Sequence, residues 1–321
     1  MSPRFGVRLI GCGSALPSQV VTNADLAQRV DTSDEWISSR TGIKQRHIIS
    51  GEESTASLAA QAGRQAIERA NLTPLDIDLI VVATSTTDDL FGTASRVQRE
   101  LGAQGAVCFD LSAACSGFVF GLVTCAQFIH TGVYRHILLI GADTLSRWLD
   151  WHDRRTCILF GDGAGAVVLR ADSPAKDGLL GFDLHSDGTG NHLLNLSYDP
   201  QAKSFHPVTM NGQEVYRFAV TAVPEVITKA VHRSGITLEQ LDWLILHQAN
   251  QRIIDAVSQR LHIDPAKAVS NMHRCANTSA ASIPIAIDEW VSKGAIQPGQ
   301  ILALSGFGAG LSWGAAIVRW G

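Results

Sequence analysis

Short runs of β-branched and other apolar residues alternate along the chain with stretches in which apolar positions recur at helical spacing. This alternation is typical of an α/β fold, in which helices cover the faces of a sheet. Strands are predicted at Ile77–Ser85, Ala106–Leu111, His136–Ala142, Ala164–Arg170, Leu241–His247, Gln300–Leu304 and Gly314–Trp320. Helices are predicted at Thr55–Ala70, Gly92–Leu101, Ser116–His130, Ala219–Ser234, Gln251–Leu261 and Ala280–Lys293.

The pattern of the first half of the chain returns in the second half. The segment Ile137–Ile140 matches Ile301–Leu304 at an offset of 164, and Gly165–Arg170 matches Gly314–Arg319 at an offset of 149. The fall in offset leaves fifteen extra residues in the first half, ahead of Gly165. The repeat predicts two similar α/β halves related by a pseudo-twofold axis, residues 1–173 and 174–321.

Composition and charge narrow the class of protein. Of the 321 residues, 45% are hydrophobic and 17% charged, which predicts a well-packed protein with a large core. The net charge of −4 gives no sign of the basic face that nucleic-acid binding needs. No apolar run approaches the ~18 residues of a membrane span, and Arg8 interrupts the only apolar stretch near the N-terminus. We therefore expect a cytoplasmic protein that binds neither membrane nor nucleic acid.

The six cysteines form no CxxC pair and show no zinc-finger spacing with histidine, so no metal is expected. Most of them should be small buried residues. The pair Gly11-x-Gly13 lacks the third glycine of a dinucleotide-binding loop, and no acidic residue is clearly placed to bind a ribose. The sequence therefore predicts no bound cofactor.

Three segments carry residues that could perform covalent chemistry. Cys115 follows a predicted strand and begins an apolar helix, where the helix N-terminus favours a thiolate. His247 ends a strand in the second half, and Asn277 precedes a helix there. Each also has a simpler interpretation: a buried structural cysteine, a core histidine and a helix cap.

The internal repeat favours the catalytic interpretation. Asn277 lies 162 positions after Cys115 and is its counterpart, and His247 ends the strand beside them. A pseudo-twofold axis would bring all three together. A cysteine nucleophile with a neighbouring histidine and an amide donor suits covalent thioester chemistry.

With these segments, the sequence resembles β-ketoacyl-acyl carrier protein synthase III, a condensing enzyme of the thiolase superfamily. The resemblance extends from Val7 to Trp320. Besides the three segments above, it rests on Asn23–Leu26, Thr32–Ile37, Arg40–Ile43, Phe160–Gly165 and Gly306–Gly310. It implies a thiolase-like fold, with the two halves in a layered αβαβα arrangement.

The resemblance also implies a ping-pong reaction that initiates type II fatty-acid synthesis. Cys115 takes the acyl group of an acyl-CoA primer, with acetyl-CoA expected, and condenses it with decarboxylating malonyl-acyl carrier protein. His247 and Asn277 would stabilise the enolate, while the backbone N–H groups of Cys115 and Ala309 would form the oxyanion hole. Phe307 would shield the site from water. Acyl-CoA is thus a substrate, and no cofactor is implied.

Further residues match positions that the family uses for binding. The residues matching CoA contacts are Thr32, Trp36, Arg40 and Arg154, of which Arg154 lies in the fifteen-residue insertion. The residues matching carrier-protein contacts are Arg217, Gln248, Ala249, Asn250 and Arg252. The resemblance further implies a homodimer that pairs Ala106–Leu111 across its twofold axis and buries Cys108 and Phe109, with Phe91 reaching the partner's primer pocket.

The sequence departs from the family at two positions, where Ala276 and Ala309 replace glycines. Two alternatives stay open. One is a synthase of the same fold that uses a longer primer or makes a secondary metabolite. The other is a non-catalytic partner subunit, against which the intact Cys115, His247 and Asn277 argue. A thiolase proper would use a second cysteine as its base, whereas Asn277 fits the decarboxylating branch.

Overall fold

The apolar runs form two main sheets, one in each half of the chain. The computed structural model describes residues 5–321. Its strands are β1 Gly6–Ala15, β2 Gln19–Thr22, β3 Gln45–Ile48, β4 Leu79–Ala83, β5 Val107–Leu111, β6 His136–Thr144, β7 Asp162–Asp172, β8 Leu179–Ser186, β9 Leu194–Asn195, β10 Tyr198–Asp199, β11 Ser204–Phe205, β12 Thr209–Met210, β13 Trp243–Leu246, β14 Ile301–Gly308 and β15 Ser312–Arg319. Its helices are α1 Asn23–Ala27, α2 Asp34–Thr41, α3 Thr55–Arg69, α4 Ala94–Leu101, α5 Gly117–His130, α6 Gly212–Arg233, α7 Gln251–Arg260, α8 Met272–Cys275 and α9 Ser282–Ser292.

The strand order of the two sheets repeats, as the sequence offsets predict. The first sheet has the order β1-β7-β6-β4-β5 and the second the order β8-β15-β14-β13. In the first sheet, β4 and β6 are parallel, and β7 and β1 follow, each antiparallel to the strand before it. In the second sheet, β13 and β14 are parallel, and β15 and β8 follow in the same way. The division proposed between residues 173 and 174 falls in the turn between β7 and β8. The first sheet has β5 as a further parallel strand beside β4. At the corresponding edge of the second sheet, beside β13, there is a single parallel bridge between Leu244 and Ala268.

Helices α5 and α9 lie in a layer between the two sheets. Alternate residues explain this placement: Leu79 and Val81 of β4 face a core shared with α5 and α9, while Ile80 and Val82 face α3. Strands buried on both faces read as continuous apolar runs, as these do. Helix α5 is apolar on nearly every side because it is covered on every side.

Helix α3 covers the outer face of the first sheet, and α6 and α7 cover the outer face of the second. The order of layers is therefore α, β, α, β, α, which confirms the fold predicted from the sequence. The fifteen-residue insertion is also explained, because residues 145–161 join β6 to β7 whereas only residues 309–311 join β14 to β15.

Three parts of the pattern were not predicted. Strand β1 contains Gly11 and Gly13 because α3 packs directly on it: an added β-carbon would lie 2.3 Å from the Ala66 carbonyl oxygen and 2.4 Å from that of Ala62. Strand β8 lies at a sheet edge and is buried only at alternate residues. Helix α6 begins seven residues before its predicted start, since Asn211 caps it.

Candidate active site

Cys115 lies in a tight turn between β5 and α5. Ala114 adopts a left-handed conformation, with φ of +46°, and a short turn of 3-10 helix covers Ala114–Ser116. The Ser116 hydroxyl donates to the Ala113 carbonyl at 2.6 Å and so closes the turn. Cys115 consequently stands at the head of α5, as predicted, with its side chain buried.

The loop after β14 packs against this turn. A β-carbon added to Gly308 would lie 2.9 Å from both the Cβ and the backbone nitrogen of Cys115. The Ser312 and Ser116 hydroxyls are 2.7 Å apart and join the two segments. Ala309 follows Gly308 and lines the same cavity as Cys115. The two residues expected to supply oxyanion-hole donors are therefore neighbours.

His247 follows β13 and is fully enclosed. Its Nδ1 lies 2.8 Å from the Ser282 hydroxyl at the start of α9. That hydroxyl also accepts the Gln248 N–H at 3.3 Å and can donate its own proton to Nδ1, an arrangement that places the ring proton on Nε2. Burial lowers the pKa of His247 to about 3, partly opposed by the Ser279 backbone. The imidazole is thus neutral, and the edge of Phe307 packs on it at 5.2 Å between centroids.

Asn277 lies in an extended segment rather than at the start of α9. Its backbone bridges Leu159 and Gly161, with hydrogen bonds of 3.0 and 2.9 Å. Its Oδ1 accepts the Ser279 N–H at 2.9 Å. Its Nδ2 group donates no hydrogen bond to any of the described residues. Ser279 in turn donates its hydroxyl to Cys115 Sγ at 3.3 Å. Ser279 therefore links Asn277 to Cys115.

A cavity of about 1010 Å³ opens above Cys115. Its lining includes seven large apolar side chains: Leu145, Trp148, Phe160, Leu194, Leu196, Phe205 and Val208. Burial raises the pKa of the Cys115 thiol to about 12, although the Ser279 hydroxyl opposes this shift. Enclosure therefore opposes the thiolate that the helix N-terminus favours.

The predicted CoA contacts form an exposed group at α2. The Arg154 guanidinium lies 5.4 Å from the ring centroid of Trp36 and donates to the Asp31 carbonyl at 2.6 Å. Thr32 is adjacent, and its buried hydroxyl has no hydrogen-bond partner within residues 5–321. Arg40 is exposed one helical turn beyond Trp36. None of the four lines the apolar cavity, so the group marks a separate surface.

The predicted carrier contacts are only partly at the surface. Arg252 lies over the ring of Tyr216 at 5.3 Å, and the neighbouring Arg217 pairs with Glu214 at 2.5 Å. The prediction for Gln248 is wrong because its side chain is fully buried and cannot meet a protein partner. Its amide instead binds the loop carbonyls of Leu246 and Val269 and the Asn271 N–H.

The other two residues of that segment, Ala249 and Asn250, are half-buried. Asn250 caps α7 by accepting the Arg252 N–H at 2.9 Å. Phe91 is fully exposed on the loop before α4 and does not line the apolar cavity of its own chain. Strand β5 nearby is also exposed, with Val107 at 50% and Phe109 at 37% accessibility.

Sequence reasoning missed Ser279, Ser282 and Asp143. The two serines follow Asn277 closely and flank the pair Ala280-Ala281, and polar residues on both sides of two alanines were the signal that could have found them. Asp143 ends the apolar run of β6, where an acidic residue is unexpected. All three are buried and lie next to the predicted catalytic residues.

Comparison with known proteins decides the family. Residues 109–188 match the family model 3-oxoacyl-[acyl-carrier-protein] synthase III, and residues 231–320 match its C-terminal model. The β-ketoacyl-[acyl-carrier-protein] synthase III of Nostoc sp. (strain PCC 7120) is 62% identical, covering 99% of each chain. The chain belongs to the β-ketoacyl-acyl carrier protein synthase III family.

Solved structures agree with this family assignment. The 3-oxoacyl-[acyl-carrier-protein] synthase III of Aquifex aeolicus is 42% identical, with a TM-score of 0.93 over 98% of this chain and all of that one. The priming β-ketosynthase of a polyketide biosynthetic pathway is 35% identical, with a TM-score of 0.94 over 100% and 98%. The predicted resemblance, fold and class of condensing acyltransferase are confirmed.

Two further observations concern residues 5–321 alone. No helix there is both long enough and apolar enough to cross a membrane. Histidine, cysteine and acidic side chains in the same range form no cluster that could hold a metal ion.

Proposed function

We propose that the chain catalyses the condensation that initiates type II fatty-acid synthesis. An acyl-CoA primer would be joined to malonyl-acyl carrier protein with loss of CO₂, giving a 3-oxoacyl-carrier protein. The observation that carries the proposal is the meeting of Cys115, His247 and Asn277 around the turn at Ser279, beside a large apolar cavity.

The first half-reaction transfers the primer. Cys115 Sγ attacks the thioester carbon, CoA leaves, and the acyl group stays on the sulfur. The thioester oxygen becomes negative during attack and needs fixed donors. The backbone N–H groups of Cys115 and Ala309 suit this role, since Gly308 lets their segments approach without a side chain between them.

The second half-reaction uses the other two residues. Malonyl-carrier protein loses CO₂, and the charge that develops on its thioester oxygen needs two donors. The Nε2–H of neutral His247 and the free Nδ2 of Asn277 supply them, because Nδ1 and Oδ1 are already bound. Phe307 packs on the imidazole and keeps water from the carbanion. The carbanion then attacks acyl-Cys115 and releases the sulfur.

We propose acetyl-CoA as the primer. A second candidate, a longer or branched primer, is favoured by the size and apolar lining of the cavity, which exceeds the need of an acetyl group. One solved relative is a priming ketosynthase of polyketide synthesis. If Phe91 of the partner subunit enters this cavity, it reduces the space left for the acyl chain.

Assembly and compartment complete the proposal. The unpaired outer edge of β5, with Val107 and Phe109 exposed, supports a homodimer formed by pairing this strand across a twofold axis. We propose a cytoplasmic enzyme. We assign it no cofactor, since each proposed half-reaction is completed by side chains and backbone donors.

Two surfaces would receive the substrates. The Trp36 and Arg154 pair, with Thr32 and Arg40, offers a ring and guanidinium groups to the CoA nucleotide. Arg252 would face the acidic carrier protein, with Arg217 as a weaker contact because Glu214 offsets its charge.

The test is to incubate the protein with acetyl-, butyryl-, isobutyryl- and octanoyl-CoA and to measure the mass added to Cys115. Cys115→Ala serves as the control for labelling elsewhere. The proposal expects acetylation of Cys115 and, after addition of malonyl-carrier protein, acetoacetyl-carrier protein. Labelling only by the longer primers would favour the second candidate, and absence of any label on Cys115 would refute the covalent mechanism.

A further inference from the structure

The only side chain bonded to the Cys115 thiol within the described residues is the Ser279 hydroxyl, 3.3 Å from Sγ. No hydrogen bond joins His247 to the thiol there. The His247 ring is neutral, and its Nδ1 is occupied by Ser282. The geometry therefore gives the thiol proton a path toward Ser279 rather than toward the imidazole.

A buried carboxylate lies on the other side of Ser279. Asp143 follows the apolar run of β6 and has no exposed surface. Its Oδ2 accepts the N–H of Ala280, the residue after Ser279, at 3.2 Å. The groups bonded to its Oδ1 are the N–H of Ser85 and the hydroxyls of Thr84 and Thr86.

All of these partners are neutral, so Asp143 is a buried acid without a cation. Such a group is costly for stability and is common at functional sites. Burial raises the pKa of the Asp143 carboxyl, while contact with the Ser279 hydroxyl opposes the shift. The carboxylate is therefore a better proton acceptor than one in water.

A single hydroxyl proton can point to one acceptor at a time. When the Ser279 proton points to Asp143, the Ser279 oxygen can accept from the thiol. When it points to Cys115, the same hydroxyl stabilises the thiolate. The two orientations match the states before and after loss of the thiol proton.

Building on the proposed acylation of Cys115, we propose that Ser279 and Asp143 form a relay that takes the Cys115 thiol proton during primer transfer. As the Sγ lone pair forms the bond to the thioester carbon, the Sγ–H bond breaks and its proton passes to Ser279 Oγ. The Ser279 hydroxyl proton passes to Asp143. The carbon–sulfur bond to CoA then breaks, and the CoA thiolate takes a proton by the reverse path. Ser279 acts as a catalytic residue in this step, because it touches the reacting sulfur and carries the proton, and no oxidant or further reactant is needed.

Removing the charge of Asp143 should change the reactivity of Cys115 in one direction if the relay operates and in the opposite direction if only electrostatics acts. The negative charge of Asp143 raises the pKa of Cys115, so removing that charge should by itself make the thiol more reactive. If Asp143 instead accepts the proton, Asp143→Asn should make Cys115 less reactive. The asparagine has nearly the same shape and can keep an oxygen acceptor for the surrounding donors.

The experiment measures alkylation of Cys115 by iodoacetamide against pH, together with single-turnover acetylation by acetyl-CoA. Ser279→Ala and Asp143→Asn should each slow both reactions at pH 7 by about 100-fold, in the range of general acid–base catalysis. The alkaline limb of the alkylation profile should move to higher pH. Release of CO₂ from malonyl-carrier protein should stay within a few-fold, which shows that the fold is intact.

Ser282→Ala is the matched control, because that serine touches His247 and not Cys115. It should slow CO₂ release and spare alkylation. Faster alkylation in Asp143→Asn, unchanged alkylation in Ser279→Ala, or loss of CO₂ release in both variants would overturn the relay. Since alkylation needs no CoA substrate, its outcome is separate from failure of the native protein to be acetylated, which would instead refute the proposed function.

Discussion

Replacing Asn277 by alanine should separate the two half-reactions. The substitution removes Nδ2, the donor left free for the malonyl thioester oxygen, and also removes the acceptor of the Ser279 N–H. Loss of one such donor typically lowers a rate by about 10²–10³, or roughly 2.7–4 kcal/mol of barrier. The unpaired N–H should cost about 1–3 kcal/mol of folding stability.

The backbone at residue 277 should remain in place, since the Leu159 carbonyl and Gly161 N–H still hold it. We therefore expect CO₂ release to fall by two to three orders of magnitude while acetylation of Cys115 changes by only a few-fold. His247→Ala should behave similarly. Cys115→Ala should show no label and still release CO₂. The assay follows label on residue 115 and CO₂ from malonyl-carrier protein separately in each variant.

Asn277→Asp provides the matched control. An aspartate keeps an oxygen for the Ser279 N–H but offers no donor, so CO₂ release should be as slow as in the alanine variant and stability should be nearer to that of the native protein. If Asn277→Ala released CO₂ normally and could not be acetylated, Asn277 would belong to the first half-reaction, and the assignment of roles would be refuted.

Three more predictions concern the surface and the loops. Arg252→Glu should weaken use of malonyl-carrier protein and spare acetylation from acetyl-CoA. Lys176→Glu, in the turn after β7, makes the same charge change and should affect neither reaction. Equal loss in both half-reactions of Arg252→Glu would exclude a docking role. Phe109→Asp should yield monomers in sedimentation, because it places a charge on the edge of β5, and an unchanged dimer would place the interface elsewhere. Gln248→Ala should lower the free energy of unfolding by about 3 kcal/mol, because it leaves buried loop groups without partners; a loss below about 0.5 kcal/mol in denaturant titrations would contradict the structural role given to this amide.

The two sheets and their repeat could be predicted because their strands are buried on both faces. Continuous apolar runs such as Leu79–Ala83 and Ile137–Ala142 leave little choice of structure. Strand β8 escaped prediction since only every second residue is buried and Gly181 interrupts the run. The glycines of β1 suggested a loop, although they serve close packing with α3.

The grouping of Cys115, His247 and Asn277 as candidate catalytic residues followed from the repeat, which aligned Cys115 with Asn277. The surroundings of these residues could not, since they depend on contacts made across 137 and 164 positions by Asp143 and Cys115. Burial of Gln248 was missed for the same reason: its partners Val269 and Asn271 come from a distant loop. The enclosure that raises the pKa of the Cys115 thiol likewise depends on these distant contacts.

The layer formed by α5 and α9 has a consequence for the order of folding. Each helix is contributed by a different half, and its apolar surface is covered only after the opposite sheet has formed. During synthesis the nucleophile turn emerges from the ribosome long before Ser279 and Gly308, its later neighbours. Contacts between such distant positions form slowly because a long loop must first close. A nascent or truncated chain therefore carries Cys115 without Ser279 and Gly308 beside it, so the proposed thioester chemistry requires both halves of the fold.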